Sequence, residues 1–166
     1  MTDLQAYAKY NDNQRYIISV IDVFSKFLHK VPVKTKSGPS VASAFRSTFN
    51  DQKYSTRKRR PIWVRTEKGK KFLIKHFQDM LQGESLDFQV CKNPDLKCAV
   101  VERAHHTIRD KIYKYFTYKY IYRYINVLPK FVRAYIDTVH STTDIAPSRV
   151  TDSDFHVIWK RMEGQR

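Results

Sequence analysis

The stretch Ala99-Val100-Val101-Glu102-Arg103-Ala104-His105-His106-Thr107-Ile108-Arg109 decides how the rest of the chain is read. Apolar residues recur at Val101, Ala104, Ile108, Ile112 and Tyr115, and these steps of three and four predict an amphipathic helix seated on something larger. Glu102 flanks that seam, with His106 one turn later and Arg109 two turns later, so a carboxylate, an imidazole and a guanidinium share a stripe at the rim of the buried face. An acid so placed is expected to look into a cleft. A second stretch, Arg65-Thr66-Glu67-Lys68-Gly69, ends a short apolar run on another acid and is read together with the first.

The 166 residues make one domain, and 42% apolar content is enough for a real core. Lys and Arg outnumber Asp and Glu by 31 to 16, a formal charge of +15. That excess favours a polyanionic partner over a neutral small molecule, with nucleic acid ahead of an anionic membrane. Cys91 and Cys98 are the only cysteines; they form neither a disulfide framework nor a close zinc-binding pair, and read as free thiols in a reducing compartment. Met1-Thr2-Asp3 has no basic start leading into an apolar run, so no signal peptide is expected. The most apolar run, residues 16–24, contains Asp22 and falls far short of the ~20 residues that span a bilayer, so a soluble protein is expected.

Residues 3–8 alternate well enough for a first strand, and Asn11-Asp12-Asn13 is a turn signal leading into the next. Residues 16–24 are apolar and β-branched on nearly every position, the pattern of a central strand covered on both faces. Residues 27–34 return as a third, antiparallel strand. Ser37-Gly38-Pro39-Ser40 opens a helix whose apolar face is Val41, Ala42, Phe45 and Phe49. Lys53, Arg57, Lys58, Arg59 and Arg60 lie in an exposed loop that is either a solvated charge run or a phosphate-contact or nuclear-import segment.

Pro61-Ile62-Trp63-Val64-Arg65-Thr66 reads as a short buried strand ending at Glu67. Phe72, Phe77, Met80 and Leu81 follow at helical spacing up to Gly83, and Leu86-Asp87-Phe88-Gln89-Val90 makes a fifth strand. Asn93-Pro94-Asp95 breaks the chain ahead of the Glu102 helix. Tyr118, Tyr120, Tyr122 and Tyr124 lie among Lys119 and Arg123 and could stack on unpaired bases, core packing being the alternative for about half of them. Residues 124–140 read as helical, with Leu128, Phe131, Val132, Tyr135 and Val139 inward and Pro129 marking a start or kink. A last short helix takes Asp152 as its N-cap and Phe155, Ile158, Trp159 and Met162 as its apolar side. Antiparallel strands followed by strands interleaved with helices give an α/β domain with a mixed sheet.

Within that order of elements, four pieces carry a family likeness: Ile21-Asp22-Val23-Phe24-Ser25-Lys26-Phe27, Arg65-Thr66-Glu67-Lys68-Gly69-Lys70-Lys71-Phe72, Val100-Val101-Glu102-Arg103, and Tyr135 with Val139-His140 and Ala146-Pro147. In these the chain resembles, over residues 1–166, the catalytic core of retroviral and transposon integrases, and among them it looks most like those of Maverick or Polinton elements and their domesticated relatives. The resemblance implies a ribonuclease H-like fold: a five-stranded mixed sheet, strands 1 to 3 antiparallel and strands 4 and 5 parallel to strand 1, flanked by helices. It also implies DNA integration by phosphoryl transfer with two Mg2+ (or Mn2+) ions held by an Asp-Asp-Glu triad, because hard carboxylate oxygens suit two divalent cations that polarise the attacking and leaving oxygens. By position the three acids are Asp3, Glu67 and Glu102, with Lys68, Lys70, Lys71, Lys97 and Arg109 meeting phosphates. DNA, a homodimer or higher multimer, and a nuclear location follow by the same likeness. The zinc domain and the C-terminal DNA-binding domain of retroviral members have no counterpart in the pattern, and Asp3 lies so near the start that a truncated first strand is expected.

Three places depart from the family pattern. Glu67 stands where the family has Asp, and Mg2+ demands near-ideal octahedral geometry, so one extra methylene is expected to weaken catalysis greatly. Lys71 replaces a common Glu. Ala104-His105 replaces Phe-Asn, removing an outer hydrogen bond of a kind whose loss typically costs about tenfold or more, with His105 or His106 as substitutes. The second and third acids are separated by 34 residues, one fewer than is usual in retroviral members. A second reading is therefore a degenerate or domesticated integrase core that keeps the fold and binds nucleic acid without chemistry. Asp22 falls in a motif whose Asp is not a metal ligand, and His140 reads as a packing or capping residue.

Overall fold

The computed structural model describes residues 1–49, 61–66, 69–90 and 99–164. The basic loop around Arg57, the acid Glu67, Lys68, the Asn93-Pro94-Asp95 break, Lys97 and both cysteines lie outside the described residues. The elements are β1 (Thr2–Asp3), a 3-10 helix (Gln5–Tyr10), β2 (Tyr16–Ile21), β3 (Leu28–Val33), α1 (Gly38–Phe49), β4 (Trp63–Thr66), α2 (Lys70–Leu73), α3 (Lys75–Gly83), β5 (Asp87–Val90), α4 (Ala99–Lys119), α5 (Leu128–Ile136) and α6 (Phe155–Glu163).

β2 is the centre of the molecule. Its residues alternate between two cores: Tyr16 and Ile18 pack with Val41, Phe45, Phe77 and Leu81 on one side, while Ile17 packs with Ala104, Ile108, Ile112 and Leu128 on the other. A strand buried on both faces cannot alternate apolar with polar, which is why the sequence is apolar on nearly every position there. β2 pairs antiparallel with β1 and with β3, from Tyr16↔Val33 to Ile21↔Leu28. β3 is the outer strand of this sheet, and Pro32, which has no N–H to donate, is tolerated on such an edge. The β2–β3 turn is built by Asp22. Its carboxylate accepts from the Phe24 and Ser25 N–H groups at 3.1 and 3.3 Å and from the Ser25 hydroxyl at 2.5 Å.

Helix α1 covers one face of β2–β3 with α3 packed against it, and α4 and α5 cover the other, giving an α/β/α arrangement. In α4 the residues sealed against the sheet are Ala104, Ile108, Ile112 and Phe116. Steps of four along a helix fall on one face, and each large side chain buried there contributes about 1.5–3 kcal/mol. Gly38 opens α1 at a close approach: a Cβ at this position would lie 2.8 Å from Ile74 Cγ2.

Several expectations are corrected. The predicted first strand over residues 3–8 is only Thr2–Asp3, because the Asp3 carboxylate caps the Gln5 N–H at 3.1 Å and Tyr7 N–H bonds back to Leu4 O, which turns the chain into a 3-10 helix. With so short a β1, the single five-stranded sheet is not formed among the described residues. β1-β2-β3 make one sheet, and β4 and β5 pair in parallel as a second. β4 is half-buried, not buried: Val64 and Thr66 face inward, but Trp63 is 63% exposed. The helix expected through Phe72 to Gly83 breaks at Ile74, whose extended backbone (ψ 140°) separates α2 from α3. The helix expected over residues 124–140 runs only Leu128–Ile136, entered through Pro129 in its first turn, and Val139 lies exposed beyond it. The last helix is entered through a 3-10 turn with a reciprocal Thr151–Asp154 capping box, not through an Asp152 cap. Thr151 N–H and Oγ1 both donate to Asp154 Oδ2, at 2.7 and 2.8 Å. Only Ile158 of that helix is buried; Phe155 and Trp159 are each half-exposed.

Candidate functional site

β1 lies against α4 near the start of that helix. The Thr2 side chain of β1 is buried and places its hydroxyl 3.1 Å from His105 Nδ1. Glu102 lies one turn before His105 on the same side of α4, in the helix's first turn, and is exposed. The strand carrying the first acid therefore lies against the helix carrying the third. Alternation along the strand turns Asp3 to the opposite face from Thr2. There its carboxylate accepts from Gln5 N and Nε2 at 3.1 and 3.0 Å and pairs with Lys36 Nζ at 3.4 Å. Burial raises the Asp3 carboxyl pKa, but the Gln5 hydrogen bonds and the Lys36 ammonium outweigh it and hold the group below the usual carboxylate range.

A polar inlay lies under this junction. Lys30 on β3 donates to Ser19 Oγ on β2 at 2.7 Å, and burial pulls its pKa down to about 7. Burial also lowers the His105 pKa to about 4, with Lys30, the N-terminal amine, His106 and Arg109 adding to the effect. The imidazole is thus neutral at physiological pH, as the Thr2 contact allows.

Of the other residues singled out in the sequence, Arg109 is half-buried on α4 with Asp110 Oδ1 3.9 Å from its Nε. The backbone of Lys70 and Lys71 opens α2. Glu67, Lys68 and Lys97 fall outside the described residues, and among the described residues no three His, Cys, Asp or Glu side chains gather into a group that could hold a metal ion. Among the described residues, neither of two surface depressions supplies the cleft expected at Glu102. A groove of about 650 Å³ lies between β3, α1 and α5, lined by Leu28, Lys30, Thr48, Leu128, Val132 and Ile136 among others, and a second depression lies between α1 and α3; neither is lined by Asp3 or Glu102. His140 caps its turn, its Nδ1 accepting from Thr142 N–H at 3.2 Å.

Sequence reasoning missed Asn11. It reads as one of three turn residues, yet it is fully buried: its Nδ2 donates to Tyr7 O and Tyr122 O, both at 2.8 Å, and its Oδ1 accepts from Tyr124 and Ile125 N–H at 2.8 and 3.2 Å. The sequence signal was an Asn in a turn, which does not specify partners more than a hundred residues away.

No family model matches the chain. A transposon-derived protein of Caenorhabditis elegans is 30% identical over 152 residues, covering 92% of this chain; the chain spans about half (51%) of that relative's length. Among solved structures, the HTLV-2 integrase catalytic core domain, in a complex with magnesium, is similar at a TM-score of 0.61 with 16% identity, covering 80% of this chain and 89% of that one. The simian T-cell lymphotropic virus intasome is similar at 0.70 with 16% identity, covering 86% and 51%. The BIV integrase catalytic core is similar at 0.62 with 12% identity, covering 90% and 88%. The chain thus has the ribonuclease H-like α/β fold of the retroviral integrase catalytic core, and its sequence is related to that of a transposon-derived protein.

Proposed function

We propose that this chain is the integrase-type catalytic core of a transposable element, of the Maverick or Polinton kind, which binds DNA and joins DNA strands by two-metal phosphoryl transfer. The observation that supports it best is β1, bearing Asp3, lying against the first turns of α4, bearing Glu102, through the Thr2–His105 contact. Both acids are exposed carboxylates of the hard-oxygen type that suits Mg2+, but the Asp3 side chain is turned to the face of β1 away from α4 and is engaged by Gln5 and Lys36, so it must leave Lys36 and swing toward Glu102 for the two to share an ion. Asp3, Glu67 and Glu102 would hold Mg2+ or Mn2+, which when bound supplies Lewis-acid polarisation of the phosphoryl and hydroxyl oxygens. The chain's own part is to present these acids, to release Asp3 from Lys36, and to hold DNA phosphates with Lys68, Lys70, Lys71, Lys97 and Arg109. Glu67 in place of Asp makes the activity weak. A homodimer or higher multimer and a nuclear location belong to the same reading. No described helix is long and apolar enough to cross a membrane.

The second reading, a domesticated core that binds nucleic acid without chemistry, is favoured by Glu67 together with Lys71, Ala104 and His105 in place of the family's residues. Incubation with a labelled DNA end and Mg2+ or Mn2+ separates the two. The first predicts weak strand transfer, raised by Glu67→Asp and abolished by Glu102→Gln. Absence of product even from Glu67→Asp overturns it and leaves the second.

A further inference from the structure

The far end of α4 carries a feature that strand transfer does not use. The rise of ~1.5 Å per residue puts Tyr118 about 24 Å beyond Glu102 along the helix. Tyr118 and Tyr120 are 78% and 89% exposed, values that exclude a core role for either ring. Lys119 Nζ lies 5.0 Å from the centre of the Tyr118 ring, Lys9 Nζ lies 4.9 Å from that of Tyr10, and Lys114 is exposed one turn before Tyr118.

Tyr120 is also held where a bulky residue is disfavoured. It follows the last residue of α4 with φ +54°, the left-handed conformation that ends helices and that glycine normally fills. Nothing in the packing of its ring accounts for a tyrosine at this point. The segment that follows is rigidly seated. Asn11 binds Tyr122 O and the Tyr124 and Ile125 N–H groups, the Arg123 guanidinium forks onto the Asp12 carboxylate at 3.0 and 2.9 Å, and the Tyr124 side chain is buried. Tyr122 stacks on Tyr7 and tilts against Tyr10, with ring centroids 5.5 Å apart in both pairs.

We infer that Tyr118, Tyr120 and the Tyr10–Tyr122 pair, with Lys9, Lys114 and Lys119, form a preorganised platform for unpaired bases of single-stranded nucleic acid. The open rings of Tyr118 and Tyr120 offer stacking faces to splayed bases, the half-exposed Tyr10–Tyr122 pair offers an aromatic edge, and the cations beside them meet the phosphates. Duplex DNA would engage the cations but has no free base faces for the rings, and the chain's +15 charge argues against a basic protein partner. The platform does not depend on the metal triad.

The test is fluorescence anisotropy with a labelled oligothymidylate and a labelled duplex, on the full chain at two salt concentrations. Tyr118→Ala and Tyr120→Gly are each expected to weaken oligothymidylate binding on the order of 5- to 150-fold, the range typical of one stacked base, and to leave duplex affinity nearly unchanged. Tyr118→Phe keeps the stacking face and retains binding. Tyr120→Gly relieves the strained backbone, so its melting temperature is unchanged or raised, which separates lost binding from lost folding. Equal oligothymidylate affinity in wild type and both variants, an equal loss on duplex and single strand, or no oligothymidylate binding by the wild type would each overturn the inference. Glu102→Gln tests the other site and is expected to leave oligothymidylate binding intact.

Discussion

Replacing Asn11 by alanine should unfasten the segment between α4 and α5 from the turn that follows the 3-10 helix. The buried carboxamide makes four hydrogen bonds to backbone, two as donor to Tyr7 O and Tyr122 O and two as acceptor from Tyr124 and Ile125 N–H. At a net ~0.5–1.5 kcal/mol for each bond, and with backbone groups left inside without partners, Asn11→Ala is expected to cost about 4 kcal/mol, within a range of about 2–6. For a domain of this size ~2–4 °C accompanies each kcal/mol, so the melting temperature should fall by roughly 8–16 °C. Asn11→Asp keeps the acceptor but sets a carboxylate against two carbonyl oxygens, and should be comparably destabilising at neutral pH. The neighbouring exposed pair serves as the control: Asp12→Ala removes a solvent-screened partner of Arg123 at a left-handed position (φ +53°) that alanine fills less readily, and should still cost far less than Asn11→Ala. Urea unfolding followed by circular dichroism reads all three. A cost for Asn11→Ala no larger than that for Asp12→Ala would refute the idea that this side chain organises the segment.

Acid should weaken the fold through His105. Its folded pKa of about 4 lies below the ordinary 6.5, so the unfolded state binds more protons between these values. Stability is then full above pH ~6.5 and falls as pH drops toward ~4; His105→Asn should flatten that part of the urea midpoint profile. Lys30 acts at higher pH by the same sign: with its folded pKa near 7 against 10.5, stability should rise from pH 7 toward 10.5, and Lys30→Met should remove the rise. Ile158 is the one buried residue of α6, and Ile158→Ala should cost about 2–5 kcal/mol by calorimetry while Phe155→Ala, on the half-exposed face, costs distinctly less.

The sequence made the central strand legible because burial on both faces leaves its mark on every residue from Tyr16 to Ile21, and it made the α4 seam legible because Ala104, Ile108 and Ile112 repeat every turn. It misplaced elements wherever a single side chain overrode the pattern. Asp3 captures the Gln5 N–H and ends a strand that alternation would have continued. Ile74 takes an extended backbone that splits a helix of good helical spacing. Thr151, not Asp152, closes the capping box with Asp154, a choice of one residue that composition does not distinguish. For the candidate site, Glu102 was visible as an acid at the edge of a seam, but its association with Asp3 was an expectation from family likeness alone, and nothing local in Thr2-Asp3-Leu4 announces the Thr2 contact with His105. The exposed left-handed Tyr120 was equally invisible, because a backbone angle set by the end of a helix is not written in the identity of a tyrosine.

Calorimetric titration with Mn2+ and Mg2+ is the most direct test of the claim that Asp3, Glu67 and Glu102 hold a catalytic metal. The account predicts saturable binding by the full chain that tightens in Glu67→Asp and disappears in Glu102→Gln and Asp3→Asn, with the fold intact by circular dichroism in each. Heats that are featureless for both the wild type and Glu67→Asp, or that are unaltered by Glu102→Gln, would contradict it.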